Sequence, residues 1–428
     1  MVVVTPAWID GLAERFARGF RSGSVGLRTV GREAEFPVVH PDGTAAPISE
    51  LWGPLQRGGG LDAHHEGDMI VGLTGPRYGY AAEVGFGTIE LVGAPCQDLH
   101  ELAGMHDEAF GRLCEAAAEV GFRVLGAGIQ PVTPATVALM TKKRRYVALH
   151  DAIGELWLSF AATASDQLHV HMGREELIAA TNLCNLMAPV VVALCANSAI
   201  AGGRDLGVCS GREHEMGRIG VAAGRHGMPM GPVDGWSGHV ARLAAMEFLV
   251  DRRGDEVEIV GGTFAEWVER RGGLPDDEAF RAFLVHEHYV WNTARPRSAH
   301  GTLEMRSACQ QPISEHLAAA TLSLGLVQSA PALAAWIREV LPADPWPTMR
   351  AWHVRAVLDG LAAPEPIPDF LATVLDILED GLIQRGRGEQ AYLAPLRRRL
   401  AKRTNPAQHA RQVFADGGIA ALIEHSAA

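Results

Sequence analysis

Gly31-Arg32-Glu33-Ala34-Glu35-Phe36, Gln167-Leu168-His169-Val170-His171-Met172 and Leu303-Glu304-Met305-Arg306 decide how this chain is read. Successive side chains of a strand point to opposite faces, so residues two apart share a face. Read as strands, the three stretches present Glu33 with Glu35, Gln167 with His169 and His171, and Glu304 with Arg306. Ala82 to Leu91 adds Glu83 and Glu90 across a glycine-broken segment. A solvated sheet face explains any one of these pairs. It explains the whole set less well, because such a face more often mixes Lys, Thr and Ser with Glu. Carboxylates brought together cannot all ionise unless a cation lies between them. Magnesium or manganese suits an oxygen-rich set with an imidazole.

Around these strands the apolar spacing predicts helices over Trp8–Arg21, Glu101–Val120, Glu175–Ala196, Phe264–Arg271 and Asp276–Val285. Hairpins are predicted over residues 50–94, and further strands over Val25–Val39, Val124–Ile129 and Val257–Val260. Asn197–Gly238 reads as a long polar loop, a length usual for functional or mobile segments. From Ser314 the chain reads as mostly helix. The expected fold class is α+β: an antiparallel sheet of about six strands packed with helices, with one domain over 1–310 and a C-terminal helical region over 311–428 packed on it as one structural unit.

With 428 residues and 47% hydrophobic content, the chain is long enough to bury a large core. Its 38 basic and 50 acidic residues sum to −12 without a basic tract, which speaks against nucleic-acid binding. The longest apolar run, Met187–Ala196, is half of the ~20 residues that span a bilayer, so no membrane anchor is expected. Val2, Val3 and Val4 run directly into Thr5 and Pro6, unlike a secretory signal. Cys96, Cys114, Cys184, Cys195, Cys209 and Cys309 lack CxxC spacing, as for reduced thiols of a cytoplasmic protein. Only Lys142, Lys143 and Lys402 are lysine, which singles out the adjacent pair. Gly58-Gly59-Gly60 reads as a turn, because no P-loop pattern accompanies it. His64-His65-Glu66-Gly67-Asp68 reads as a polar loop, and His286-Glu287-His288 as structural, since histidines two apart do not share a helix face.

Gly31 to Phe36, Glu83, Glu90 to Pro95 with Leu99-His100, Gly126 to Pro131, Arg145-Tyr146, Gln167 to Val170, Ala196-Asn197-Ser198, Ser210-Gly211-Arg212 with Arg218, and Thr302 to Arg306 follow one another in a familiar order. Together with Gly381-Leu382 and Thr404 to Ala407, this series resembles the glutamate–cysteine ligases of the plant-type and carboxylate–amine ligase branch, within the glutamine synthetase superfamily. The resemblance implies a glutamine synthetase-like curved active-site face and an ATP-dependent ligase that phosphorylates a carboxylate, usually the γ-carboxyl of glutamate, and lets an amine such as cysteine displace phosphate. It implies two or three magnesium or manganese ions on Glu33, Glu35, Glu83, Glu90, His169 and Glu304. It also implies substrate contacts from Arg145, Tyr146, Gln167, Arg212 and Arg218, and nucleotide contacts from Lys142, Lys143, His171 and Arg306, with Glu304, Arg306 and Arg212 nearest the chemistry. A monomer or homodimer is expected. His171 stands where the family commonly has an acid and Met216 where it commonly has a tryptophan. A ligase for another acid or amine, and a catalytically silent homologue acting as a partner, are therefore the alternatives.

Overall fold

Strand β1 (Val30–Val39) lies at the middle of a nine-stranded sheet in the computed structural model, which describes residues 7–23, 25–220, 224–273 and 277–428. Val2–Pro6, Ser24 and Asp276 fall outside the described residues. The other strands are β2 (Asp62–Glu66), β3 (Met69–Thr74), β4 (Tyr78–Ala82), β5 (Thr88–Gly93), β6 (Arg123–Val124), β7 (Asp166–His171), β8 (Ala294–Arg297) and β9 (Thr302–Met305). Their order is β8-β9-β7-β1-β5-β4-β3-β2, every pair antiparallel, with β6 paired to one end of β1.

The α+β class is as expected, but the sheet is larger than six strands. The 62–93 segment supplies four strands, and Ala294-Arg295-Pro296-Arg297 adds an edge strand, the position where a proline is tolerated. β1 starts at Val30 and the Val124–Ile129 strand shrinks to β6. Residues 48–57 are helical, burying Leu51, Trp52 and Leu55. His64 and His65 sit on the exposed edge strand β2. The helix expected over Glu175–Ala196 divides into Arg174–Leu186 and Ala188–Cys195, bent by 50° beside Pro189, which lacks an N–H. The stretch expected as loop contains the helices Gly211–Gly220 and Gly235–Ala244.

β1 alternates buried and partly exposed residues from Val30 to Phe36. Ala34 and Phe36 face the helix Leu99–Glu119, where Phe36 meets Phe110 at 4.8 Å. On that same back face Arg32 donates to both oxygens of Asp166, at 2.7 and 2.8 Å, and to the His316 carbonyl at 2.7 Å. The helix Ala188–Cys195 is buried along its whole length and shares one apolar core with β7, β9 and the C-terminal helices Ala318–Gln328 and Phe370–Arg385. Among the described residues no single helix is long and apolar enough to cross a membrane.

Candidate active site

Residues directly opposite in antiparallel strands share a face. Glu35 lies opposite Glu90, Glu33 opposite Gln167, His169 opposite Glu304, and Glu304 opposite Arg295. Five strands therefore deliver their polar residues to the front of the sheet, as the spacing predicts. Glu33, His169 and Glu304 bring ligand atoms within 4.8 Å of one another, and His169 Nε2 is 3.4 Å from Glu33 Oε1. The donor set fits a hard divalent cation: carboxylate oxygens with one imidazole.

Two cavities meet at this set, both lined by Glu33 and His300. The first, about 260 Å³, has an acidic wall of Glu33, Glu35, Glu83 and Glu90 facing a basic wall of Arg145, Arg212, Arg295, Arg297 and Arg306. A third wall is aromatic: Tyr146, Trp157, Phe160, Tyr289 and Trp291, with Trp157 to Phe160 at 4.5 Å and Phe160 to Trp291 at 4.8 Å. The second, about 240 Å³, lies over Gly31, Val92, Pro95, His169, His171 and Thr302.

Burial pushes the Glu90 carboxyl well above its ordinary value, and Glu33, Glu83 and Glu35 push the same way. Burial and Glu83 raise Glu35 to about 7. Burial acts on Glu33 too, but the hydrogen bond and charge of His169 outweigh it and its carboxyl is lowered. Glu304 is fully buried, and the cost is outweighed by guanidiniums: Arg295 Nε at 2.8 Å, Arg297 Nη1 at 3.1 Å, and Arg306. Its carboxyl is held well below the usual range. Glu35 and Glu90 are thus held against like charge, whereas Glu33 and Glu304 have cationic neighbours, a division that a shared cation would complete.

Gln167 donates to Glu35 Oε1 at 3.1 Å and accepts from Arg306. Arg145 donates to the Tyr146 hydroxyl at 2.8 Å, both on the helix Arg144–Ile153. Arg212 stands at the start of the Gly211–Gly220 helix, its amide bonded to Ser198 Oγ at 3.0 Å. Gly211 is required there, since a Cβ would lie 2.3 Å from the Ser198 carbonyl. Nε of Arg145, Arg212 and Arg306 is buried without a partner, leaving donors for a carboxylate or phosphate. His171 lines the second cavity. Lys143 is buried behind the acidic wall, donating to the Ala82 carbonyl; burial lowers it to about 8 against the pull of Glu83 and Glu90. Lys142 is exposed and points to the Val137 carbonyl, and Arg218 is exposed on Glu215; neither lines either of the two cavities.

The sequence reading missed Arg295 and Arg297, whose period-two spacing one turn before β9 is the same signal that marked the glutamates. It also set aside His288. His286 is indeed structural, bonded to the Leu243 carbonyl at 2.7 Å, but His288 lines the first cavity. The aromatic wall carries no signal separable from core.

Residues 29–425 match glutamate–cysteine ligase family 2. The chain belongs to that family. Its members are ATP-dependent, amide-forming ligases. The chloroplastic glutamate–cysteine ligase of Medicago truncatula is 30% identical over 172 residues, covering 39% of this chain and 34% of that protein, so this match spans about a third of the relative. The chloroplastic enzyme of Brassica juncea is 25% identical over 368 residues, 82% of this chain and 69% of that one. Among solved structures, the glutamate–cysteine ligase of Francisella tularensis in complex with AMP aligns with a TM-score of 0.56 at 11% identity, covering 95% of this chain and 88% of that one, which shows a shared fold.

Proposed function

We propose that this chain joins the γ-carboxyl of glutamate to the amino group of cysteine at the expense of ATP. The observation that carries the reading is the meeting of an acidic and a basic wall at the junction of two cavities. The nucleotide would occupy the cavity over His171 and Pro95, with its phosphates toward His169 and Glu33. Glutamate would lie along the first cavity, its carboxylates on Arg145 and Arg212. The γ-carboxylate oxygen then bonds to the terminal phosphorus while the bond to ADP breaks. The amine next bonds to the acyl carbon, and the carbon–oxygen bond to phosphate breaks. Arg306, and with it Arg297, faces the oxygens where negative charge gathers. Tyr146 and Gln167 hold Arg145 and Arg306 in place.

Glu33, Glu35, Glu83, Glu90, His169 and Glu304 would hold two or three magnesium or manganese ions, which when bound screen the phosphate charge and bridge it to this face. Lys143 acts in this reading as counter-charge to Glu83 and Glu90 rather than as a phosphate ligand, and Lys142 and Arg218 stay outside the site. The six unpaired cysteines suit a reducing compartment such as the cytoplasm.

The test is pure protein with ATP, magnesium, glutamate and cysteine, read as ADP release and product mass. No ADP with glutamate and any amine removes the reading. A second reading, another amine, is favoured by Met216, which lines the first cavity beside Thr163 where a bulkier side chain would fill it. Turnover with a different amine and none with cysteine would select it.

A further inference from the structure

The Gly211–Gly220 helix carries a buried acid that the chemistry above does not use. Glu213 is 4% exposed and lines neither cavity. Its Oε1 accepts from Arg212 Nη1 at 3.3 Å. Its Oε2 is 3.7 Å from His226 Nδ1 and 3.9 Å from His353 Nε2, and the Ser307 side chain bonds to it as well. Gly227, with φ +60°, brings backbone against it: a Cβ there would lie 3.1 Å from Glu213 Oε2.

A buried carboxylate needs a counter-charge, because leaving water costs several kcal/mol per ion; burial raises the Glu213 carboxyl, and the charge of Arg212, then the Ser307 hydrogen bond, oppose that rise. Burial, then the charge of Arg212, hold His226 well below its ordinary range, and burial lowers His353 to about 4, so both rings are neutral. Arg212 is therefore the full charge that Glu213 faces, and Arg212 is itself buried, at 4% side-chain exposure, while lining the first cavity. One end of the guanidinium is tied back by the acid while its Nε remains unpaired. A cation is a poor occupant here, since Arg212 already takes Oε1.

We propose that Glu213 is a positioning residue that sets the Arg212 guanidinium at the cavity where a substrate carboxylate binds. The inference rests on the ligase reading in taking Arg212 as a substrate contact. It is tested by a double-mutant cycle in the full chain with Arg212→Ala, Glu213→Gln and the pair. The expected result for Glu213→Gln is a KM raised about tenfold for glutamate or the amine, with the KM for ATP within about twofold. In the Arg212→Ala background the same change should add less than about twofold, because the acid then has nothing to position. Effects that multiply, a fall in kcat alone, or equal rises in all three KM values overturn the inference. Glu213→Asp, which keeps the charge but withdraws it, should show the same selective rise if the glutamine variant does not fold. If the wild type turns over no substrate pair, the ligase reading fails by itself. Crystal structures of wild type and Glu213→Gln then decide the inference, and an unmoved Arg212 guanidinium sinks it.

Discussion

The two faces of β1 carry charge in opposite ways. Behind the sheet, Arg32 and Asp166 form a closed pair, 2% and 1% exposed at the side chain, with the His316 carbonyl completing the guanidinium. In front, Glu35 and Glu90 stand beside Glu33 and Glu83, and burial with like charge raises both carboxyls. Arg32 and the pair Glu33 and Glu35 come from opposite faces of one ten-residue strand. The difference is that a buried charge with all its partners is architecture, whereas like charges held together without them wait for a ligand.

The largest effect is expected behind the sheet. Asp166→Ala leaves the Arg32 guanidinium buried and unpaired, which costs about 3–5 kcal/mol. The urea midpoint should fall accordingly, and activity should fall only as the folded fraction does. Replacing both partners, as Arg32→Met with Asp166→Leu, should recover most of that loss, because two apolar side chains need no partners. An unchanged midpoint in the single variant would break the contrast.

In front the pattern should invert. Glu33→Gln removes one of the clustered carboxylates and a member of the triad with His169 and Glu304. Turnover should drop by about 10²–10³-fold, while the urea midpoint should fall far less than in the Asp166 variant, because the partner lost is His169 beside a partly exposed carboxylate. A variant that loses stability in step with activity would mean that the front face is architecture too.

Much of this contrast is legible in the sequence because period-two spacing survives any error in element ends. Glu33, Glu35, Glu90, His169 and Glu304 share a face however long their strands turn out to be. The framework motifs were legible as residues but not as roles. Asn197 donates to the Gly126 and Gln310 carbonyls at 2.8 and 2.9 Å, and Gln310 in turn donates to the Glu35 carbonyl at 2.8 Å, so these amides brace β1 from behind the site. Asn405 caps the Pro406–Ser426 helix and donates to the Ala193 carbonyl at 2.9 Å. Arg295 and Arg297 escaped because Pro296 between them argues against a strand unless the strand is at an edge. The aromatic wall escaped because Trp157 and Trp291 are buried and pack on each other and on the partly buried Phe160, as core residues do.

pH sharpens the comparison on the front face. The Glu35 carboxyl sits at about 7 in the folded chain, through burial and then Glu83, against about 4.3 when unfolded. Between these values the folded state binds the extra proton, so this group's stabilisation is full below the unfolded value and is lost as pH rises through about 7. Glu35→Gln carries no such group. Its metal-free urea midpoint should therefore gain on the wild type as pH rises from 4.5 to 8, and magnesium added to the wild type should narrow the gap most at the upper end. Parallel midpoints across that range would mean that Glu35 titrates normally and that the acidic wall is not crowded.

The smallest effect is expected at a residue that the motif order groups with the site. Arg212 and Arg218 lie six positions apart on the Gly211–Gly220 helix, which sets them about 120° apart around its axis. One guanidinium is buried against the cavity, and the other is 60% exposed on Glu215 at 3.0 Å. An exposed pair of this kind contributes at most about 1 kcal/mol. Arg218→Ala should thus keep every KM within about twofold and move the urea midpoint little. A selective rise in the KM for ATP or glutamate would show that Arg218 swings into the site on binding, and the division between structural and ligand-seeking charge would then have to be drawn on the closed enzyme rather than on this one.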